Sequence, residues 1–509
     1  MEKLTNSVYF LGIDVGTTSL KVGLYDPQGN QIALDRREYQ LNTPGPALVE
    51  LEPDIYWEAL CSAVRQVIQQ STIDSEAVAG FSISSQGETL IPVDKDGFPT
   101  RDAIVWLDNR AAEEARLINT HFNIDDIYQT TGQPEVAPTW PACKILWIKR
   151  HEPDIFARTY KFLLLEDYLL YRLTGQYITE CGQQTSSLFL DISNQAWWEA
   201  MLDFIGLSVD QLGHLMEPGE VVGPLSQQGA ESLGLTTKTM AVSGSMDQSV
   251  GAVGAGNILP GVVTEATGGA LGILVTLEKP TFDPQRRVPC YHHALKNRYC
   301  LLPWGQTAGM ALRWFRDQFY NLETLVAQES GLDPYDLMTM AARKVTPGSD
   351  GLTVLPHLEG AFCPEYNPAA RAVFFGATLR HTRAHFVRAI LESVAYMLKK
   401  NLDLVEGLGV PVKEIRSTGG GARSDLWLQI KADVLQKPII KVESEETACL
   451  GAALMAAVAT GYFSSPEAAV SQMVRIRDTL MPGQDFCRAY EQGYAKYLEL
   501  YERLAPMFN

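Results

Sequence analysis

The chain lacks an uninterrupted apolar run of the roughly 18 residues that a bilayer-crossing helix requires, so no helical membrane span is expected. It is also poor in cysteine. Eight are spread over 509 residues (Cys61, Cys143, Cys181, Cys290, Cys300, Cys363, Cys449 and Cys487), with no C-x-x-C pair, which excludes a disulfide-built scaffold and leaves reduced thiols as the expectation. Basic residues are scarce as well: 42 Lys and Arg stand against 60 Asp and Glu, a net charge of −18 with no basic stripe. Neither nucleic acid nor an anionic membrane surface is therefore an expected partner. The opening Met1-Glu2-Lys3-Leu4-Thr5-Asn6 has no apolar secretion segment, and a cytoplasmic location is the expectation. Cys290, His292, His293 and Cys300 lie close in sequence, but their spacing matches no usual structural-zinc pattern and the stretch reads as a hairpin.

What the chain does have is length and apolar content: 509 residues at 46% hydrophobic suffice for two or three domains, each with a core. Its N-terminal half alternates strands with amphipathic helices, an α/β pattern: strands in Phe10 to Asp26, a helix from about Pro53 to Gln70, and the strand "VAGFSIS" from Val78. The first of these, "FLGIDVGTTSLKVGLYD", reads as two strands joined by a tight polar turn. Such a turn offers backbone N–H groups and hydroxyls to an anion, while Asp14 at the end of the first strand can hold a cation beside it. An ordinary hairpin, with Asp14 and the hydroxyls satisfying only backbone groups, is the alternative.

Around Asn257 to Gly261 the string "NILPG" breaks the pattern, and a second domain is expected to begin there. The division is thus residues 1–256 and 257–509. Aligning Val262 to Glu278 with Phe10 to Asp26 sets Gly268-Gly269-Ala270 against Gly16-Thr17-Thr18, strand, small-residue turn and strand in both, which suggests an internal duplication. Farther on, Phe386, Ile390, Leu391, Val394, Met397, Leu398 and Leu402 fall at helical spacing and read as core. The stretch "EIRSTGGGARSDLWLQIKADVLQKPI" reads as strand, glycine-rich turn, helix and strand, and its glycines allow a flat ligand or a phosphate to approach the backbone. In "VSGSMDQSVGAVGAG", Asp247 sits between an apolar strand and a helix, where it is either a capping carboxylate or an exposed functional one. The glycines of "GAVGAG" read as close helix packing.

An aspartate-bearing hairpin, an aspartate at a mid-chain strand end and a glycine-rich turn near residue 420 form the layout of a two-domain kinase clamp. With them the sequence resembles the FGGY carbohydrate kinase family, of the actin/hexokinase-like ATPases, from about residue 8 to residue 500. One signature region, "TWPACKILWIKRH", keeps the Pro141, Lys144, Trp147 and His151 spacing but departs at Thr139; the other, Ala372 to Glu392, departs at Ala377. "WLDNR" (Trp106 to Arg110), "LEDYLLYRLTG" (Leu165 to Gly175) and "GGGARSDLW" (Gly419 to Trp427) resemble xylulose-kinase segments.

The resemblance implies two ribonuclease H-like α/β domains with an interdomain cleft for Mg-ATP and a sugar. It makes Asp247 the general base, Asp14 a holder of Mg²⁺ through water, and Thr17, Thr18 and Lys21 the phosphate contacts. Gly268, Gly269, Gly420, Gly421, Ala422 and Asp425 fall on the nucleotide side. The family's Gly-Thr pair about 21 residues beyond the base is Gly268-Gly269 here, so one hydroxyl contact is expected to be missing. On the acceptor side stand Gln86, Glu88, Trp106, Asp247 and Gln248. Neither a xylulose-kinase Met-His pair nor a glycerol-kinase Arg-Glu pair is kept: the chain has Ser85-Gln86 and Gly87-Glu88 at those places. Trp106, Trp140 and Trp304 could each offer a face to a sugar, or pack in a core. The expected acceptor is a ketopentose such as D-xylulose. The alternatives are a polyol (glycerol, erythritol or a pentitol), another ketose, or a catalytically inactive sensor of sugar or nucleotide; the family likeness also allows a homodimer.

Overall fold

The computed structural model describes residues 8–485 and 487–508; the N-terminal hexapeptide considered above lies outside them. The chain divides into two compact units. Unit 1 comprises residues 1–258, 277–300 and 446–475, and unit 2 comprises residues 259–276, 301–445 and 476–509. The first passage between them, at Ile258/Leu259, lies two residues past the division expected from the "NILPG" break, but two later segments return to unit 1.

Unit 1 is built on a sheet of six strands: β1 (Tyr9–Val15), β2 (Ser19–Tyr25), β3 (Gln31–Glu38), β4 (Val78–Ser85), β5 (Val221–Pro224) and β6 (Met240–Met246), in the order β5-β6-β4-β1-β2-β3. The β1–β2 and β2–β3 pairs are antiparallel, β1–β4 and β4–β6 are parallel, and β5 closes the edge antiparallel. Because successive residues of a strand face opposite sides, β1 sends Leu11, Ile13 and Val15 into one core and Phe10 into another. The first core is shared with the apolar stripe of the helix Pro53–Ser71, at Tyr56, Leu60, Ala63, Val64 and Val67. The second lies under the helix Thr447–Ala459. That helix comes so close that a Cβ on Gly12 would stand 1.7 Å from the Cys449 carbonyl oxygen. The "GAVGAG" helix, Asp247–Gly254, meets it with the same economy of side chain: a Cβ on Gly254 would fall 1.9 Å from the Thr447 carbonyl oxygen.

Unit 2 repeats the pairing scheme. Its strands β7 (Val262–Thr267), β8 (Leu271–Leu277), β9 (Glu414–Thr418), β10 (Ile439–Val442) and β11 (Ile476–Leu480) run in the order β8-β7-β9-β10-β11. Here β7–β8 is antiparallel, β7–β9 and β9–β10 are parallel, and β10–β11 is antiparallel. Thus β7, β8, β9 and β10 correspond to β1, β2, β4 and β6, the ribonuclease H-like arrangement in both units. The repeat differs by one residue at the hairpin. Val15 pairs with Leu20 across the turn 16–19, whereas Thr267 pairs with Leu271 across the turn 268–270. A gapless alignment of the two hairpins therefore slips by one position in the second strand. The helix Arg383–Gly407 buries Ile390, Leu391, Val394, Met397, Leu398 and Leu402 as its spacing requires, while Phe386 stays partly exposed and stacks on Phe315.

Candidate active site

Parallel strands present their carboxyl ends on one edge of a sheet, the usual location of ligand chemistry in α/β folds. In unit 1 that edge gathers Asp14 from β1, the Gln86-Gly87-Glu88 loop after β4 and Asp247 after β6. Register fixes the arrangement: Asp14 opposes Ser84, and Ser84 in turn opposes Ser245. With strands about 4.8 Å apart, Asp14 and the end of β6 are separated by about 10 Å. The strand runs directly into the helix at Asp247.

Asp14 is half-buried, and its Oδ1 accepts a hydrogen bond from Ser84 Oγ at 3.2 Å. Burial raises its pKa, and Lys21, opposite it on β2, works in the other direction. Lys21 does not reach freely into the site: its Nζ donates to Glu446 Oε2 at 2.5 Å. The hairpin turn is likewise held. Trp106 Nε1 donates to Thr17 Oγ1 at 2.9 Å, Tyr39 N–H donates to the Thr18 carbonyl at 3.0 Å, and the Tyr39 hydroxyl donates to the Gly16 carbonyl. Thr18 stays exposed. Trp106 is thereby tied to the hairpin turn through its indole N–H. Its neighbours in "WLDNR" are structural: Asp108, fully buried, accepts from Val49 N–H and from Arg110, which also pairs with Glu50.

Asp247 is pushed up to about 7, first by burial and then by the like charge of Asp14, with Glu88 adding to the effect. Its Oδ1 accepts the Gln248 N–H at 2.7 Å, and the Gln248 side chain is exposed beside it. Glu88 is raised by burial, and its carboxylate is held by Ser186. Its backbone is left-handed, φ 56°, and that conformation is held from below: Lys144 Nζ donates to the Glu88 carbonyl at 2.7 Å, to Val105 at 3.0 Å and to Ile104 at 3.5 Å. Burial brings the fully enclosed Lys144 down to about 7. Gln86 is buried, its Nε2 donating to the Tyr56 hydroxyl at 3.1 Å. Gln183 Nε2 donates to Ser85 Oγ at 2.8 Å, which brings a second amide to this loop.

Sequence reasoning did not find Ser186, Gln183, Tyr39 or Glu446, nor the carboxyls behind β6. Glu166 Oε1 accepts Gly244 N–H at 2.6 Å, and Glu180 Oε2 accepts Gly182 N–H at 2.6 Å and Ser245 Oγ at 3.4 Å. Glu166, Asp167 and Glu180 are all fully buried, and burial raises all three, Asp167 to about 7 and Glu180 to about 8. "LEDY" was legible as a family-like string, but nothing in it announced an acid cluster.

In unit 2 the two glycine turns lie side by side, since Ala266 of β7 opposes Thr418 of β9 just before them. Gly268, Gly269, Ala270 and Gly420 are exposed, and a Cβ on Gly268 or Gly420 would meet nothing within 4 Å. Gly421 is different: its Cβ would stand 2.7 Å from Thr267 Cβ. The loop 308–310 braces the first turn, with Ala308 N–H on the Gly269 carbonyl at 2.8 Å and Gly309 N–H on that of Gly268 at 3.0 Å. Ala422 is half-buried, and Asp425, exposed at the helix start, pairs with Lys441 at 3.0 Å. Trp304 packs at a tilt against Phe362 and Trp140 donates to the Glu135 carbonyl, both local contacts.

Among the described residues no helix is long and apolar enough to cross a membrane. Residues 9–254 match the N-terminal domain, and residues 267–460 the C-terminal domain, of the FGGY family of carbohydrate kinases. The chain is 32% identical to a gluconokinase of Bacillus subtilis (strain 168), covering 98% of this chain and 97% of that one. It is 29% identical to the xylulose kinase of the same organism, over 97% of this chain and 96% of the relative. Its fold superposes on a crystal structure of gluconate kinase from Lactobacillus acidophilus with a TM-score of 0.90, at 25% identity and 99% coverage of both chains. The two repeated sheets, the acid-bearing edge of the first and the glycine turns of the second belong to a member of the FGGY family, an ATP-dependent carbohydrate kinase with two actin/hexokinase-like domains.

Proposed function

We propose that this kinase transfers the γ-phosphoryl group of ATP to a hydroxyl of a small neutral sugar, a ketopentose such as D-xylulose, with Asp247 as general base. The observation that carries the reading is the convergence of Asp14, Glu88 and Asp247 at one sheet edge, each carboxyl raised by burial. A sugar hydroxyl is too weak an acid to ionise at neutral pH, and a base whose pKa lies near the working pH is the most effective partner for its proton. In the transfer, Asp247 takes the hydroxyl proton as the acceptor oxygen bonds to the γ-phosphorus and the bond to the ADP oxygen breaks.

Thr17, Thr18 and the hairpin N–H groups would contact the terminal phosphates, with Lys21 supplying charge when it turns from Glu446. The oxygen donors at Asp14 and Ser84 fit Mg²⁺, which keeps most of its waters and shares phosphate oxygens. Asp14 would hold such an ion through water, and the ion would supply neutralising charge to the phosphates. Gly268, Gly269, Gly420, Gly421 and Ala422 are assigned to the adenosine end of ATP, which the open space above Gly268 and Gly420 supports. The exposed Asp425 would lie at the margin of that contact. A cytoplasmic location accords with the use of ATP.

Gln86, Glu88 and Gln248 would hydrogen-bond the acceptor's hydroxyls, a kind of contact that discriminates strongly when buried. The charge of the site supports a neutral acceptor. Lys144, the cation bonded to the acceptor loop, spends its ammonium group on main-chain carbonyls, and Lys21 is paired with Glu446. An aldonate would bring a carboxylate toward Asp14, Glu88 and Asp247. The likeness to gluconokinases favours that second reading, and one comparison separates the two: kcat/KM by coupled ADP release for xylulose, ribulose, fuculose, erythritol, arabinitol, glycerol and gluconate. The neutral-sugar reading expects xylulose or ribulose to lead by at least about tenfold, as loss of a buried hydroxyl contact costs at least that much. Gluconate in first place would reject it, and ligand-dependent melting shifts without turnover on any acceptor would mark a sensor.

A further inference from the structure

Among the described residues of unit 2, Lys431 is a fully buried cation and Glu265 a fully buried carboxylate, and the transfer chemistry uses neither. They meet directly, Lys431 Nζ to Glu265 Oε1 at 2.7 Å, beneath the ends of β7 and β9. Lys431 also donates to Thr267 Oγ1 at 2.8 Å, and Thr267 Oγ1 donates to Glu265 Oε2 at 2.6 Å, so the three side chains close a ring. Ser417, opposite Glu265 in the β7–β9 register, donates its hydroxyl to Glu265 Oε1. The remaining face of the ammonium lies over the Trp427 ring, 5.0 Å from its centroid.

Well-packed apolar residues stabilise a fold as well as a buried ion pair does, so stability alone gives this pair no reason to exist. Its connections do. Thr267 is the residue before the Gly268-Gly269 turn; Ser417 is the penultimate residue of β9, two before Gly419; Lys431 belongs to the helix Asp425–Leu435, which starts where the Gly420-Gly421 turn finishes. Each group the pair holds is therefore an abutment of a glycine turn, and Thr267 also touches the space above Gly421.

We infer that Glu265 and Lys431 are positioning residues for the nucleotide: their ion pair, closed through Thr267 and Ser417, fixes the Gly268-Gly269 and Gly420-Gly421 turns in one relative placement that receives the adenosine end of ATP. The inference rests on the assignment of those turns to the nucleotide. Removing one partner leaves the other charge buried and unpaired, and the structure yields at the turns. Removing both takes away the penalty.

The test is ADP titration calorimetry on the full chain, with steady-state KM for ATP and for the acceptor, in Lys431→Met, Glu265→Gln and the double variant. Each single variant is expected to weaken ADP and raise the ATP KM about tenfold or more, with acceptor KM within about twofold, and the double variant to recover most of the loss. Unchanged ADP affinity in both single variants overturns the inference, as does a parallel rise of both KM values that follows the loss of thermal stability. If the single variants do not fold, Thr267→Val removes the bridging hydroxyl at nearly constant shape and is expected to weaken ADP about threefold to tenfold, with Thr267→Ser close to the parent. Full ADP affinity in Thr267→Val then overturns it. A parent chain that binds no adenine nucleotide rejects the assignment of the turns itself, whereas a parent that binds ADP beside unaffected variants rejects the ion pair alone.

Discussion

The hairpins β1–β2 and β7–β8 are the same device with different equipment. The first turn has four residues, two threonines and a serine among them, and stands beside Asp14 and Lys21. The second has three, two of them glycine, with its nearest hydroxyl, Thr267, turned inward onto Glu265 and Lys431. A turn that must hold charge exposes polar groups and is fixed from outside by Trp106 and Tyr39. A turn that must let a flat group lie on the backbone gives up its side chains and is fixed from beneath. On the proposed assignment of the turns, the duplicated topology is one scaffold carrying two kinds of contact, and the difference can be broken from either side.

The largest expected effect is on the acid-bearing edge. Asp247→Asn should lower kcat by about 10² to 10⁴, the usual contribution of a general base, with ADP affinity retained; a coupled ADP-release assay reads it. On the glycine edge, Gly268→Val and Gly420→Val add atoms where the fold leaves open space. Each should raise the ATP KM about tenfold while changing stability by less than about 1 kcal/mol, because only the ligand meets the new side chain. A smaller effect concerns pH and rate. A base proposed at Asp247 must be ionised, and Asp247 is raised to about 7, so kcat/KM should fall as pH drops below about 7 and level off above it.

The smallest effect concerns stability. Glu180 is raised to about 8 in the folded chain, so the native state holds a proton that the unfolded chain has released. Its contribution is full at pH values below the ordinary carboxylate range and is lost as pH rises through about 8. Denaturation midpoints should therefore fall between about pH 5 and pH 8 and level off above that, and Glu180→Gln should flatten that decline by up to about 1.4 kcal/mol per pH unit.

Local strings announced much of this. The polar turn after Ile13-Asp14, the strand-to-helix step at Asp247 and the Gly419-Gly420-Gly421 run are each legible within a dozen residues, because hairpin turns and strand ends have short-range chemistry. The repeat was also legible, though one residue out of step, since an alignment without gaps cannot see a shortened turn. What could not be read depends on distant parts of the chain. Glu446 reaches Lys21 across 425 positions, and Lys431 reaches Glu265 across 166. Lys144 was visible as a signature position, but the three carbonyls that enclose it lie 56, 40 and 39 positions away. The return of residues 446–475 to unit 1 has the same character: their helix is apolar all round, so its pattern cannot say which sheet it covers.

The division of labour between the two turns is tested most directly by crossed calorimetry, in which ADP and the best acceptor are each titrated into Asp247→Asn and into Gly420→Val. The account predicts that Asp247→Asn binds ADP like the parent while showing no turnover, and that Gly420→Val loses ADP affinity while binding the acceptor like the parent. Loss of both ligands in either variant, or unimpaired ADP binding by Gly420→Val, would contradict it.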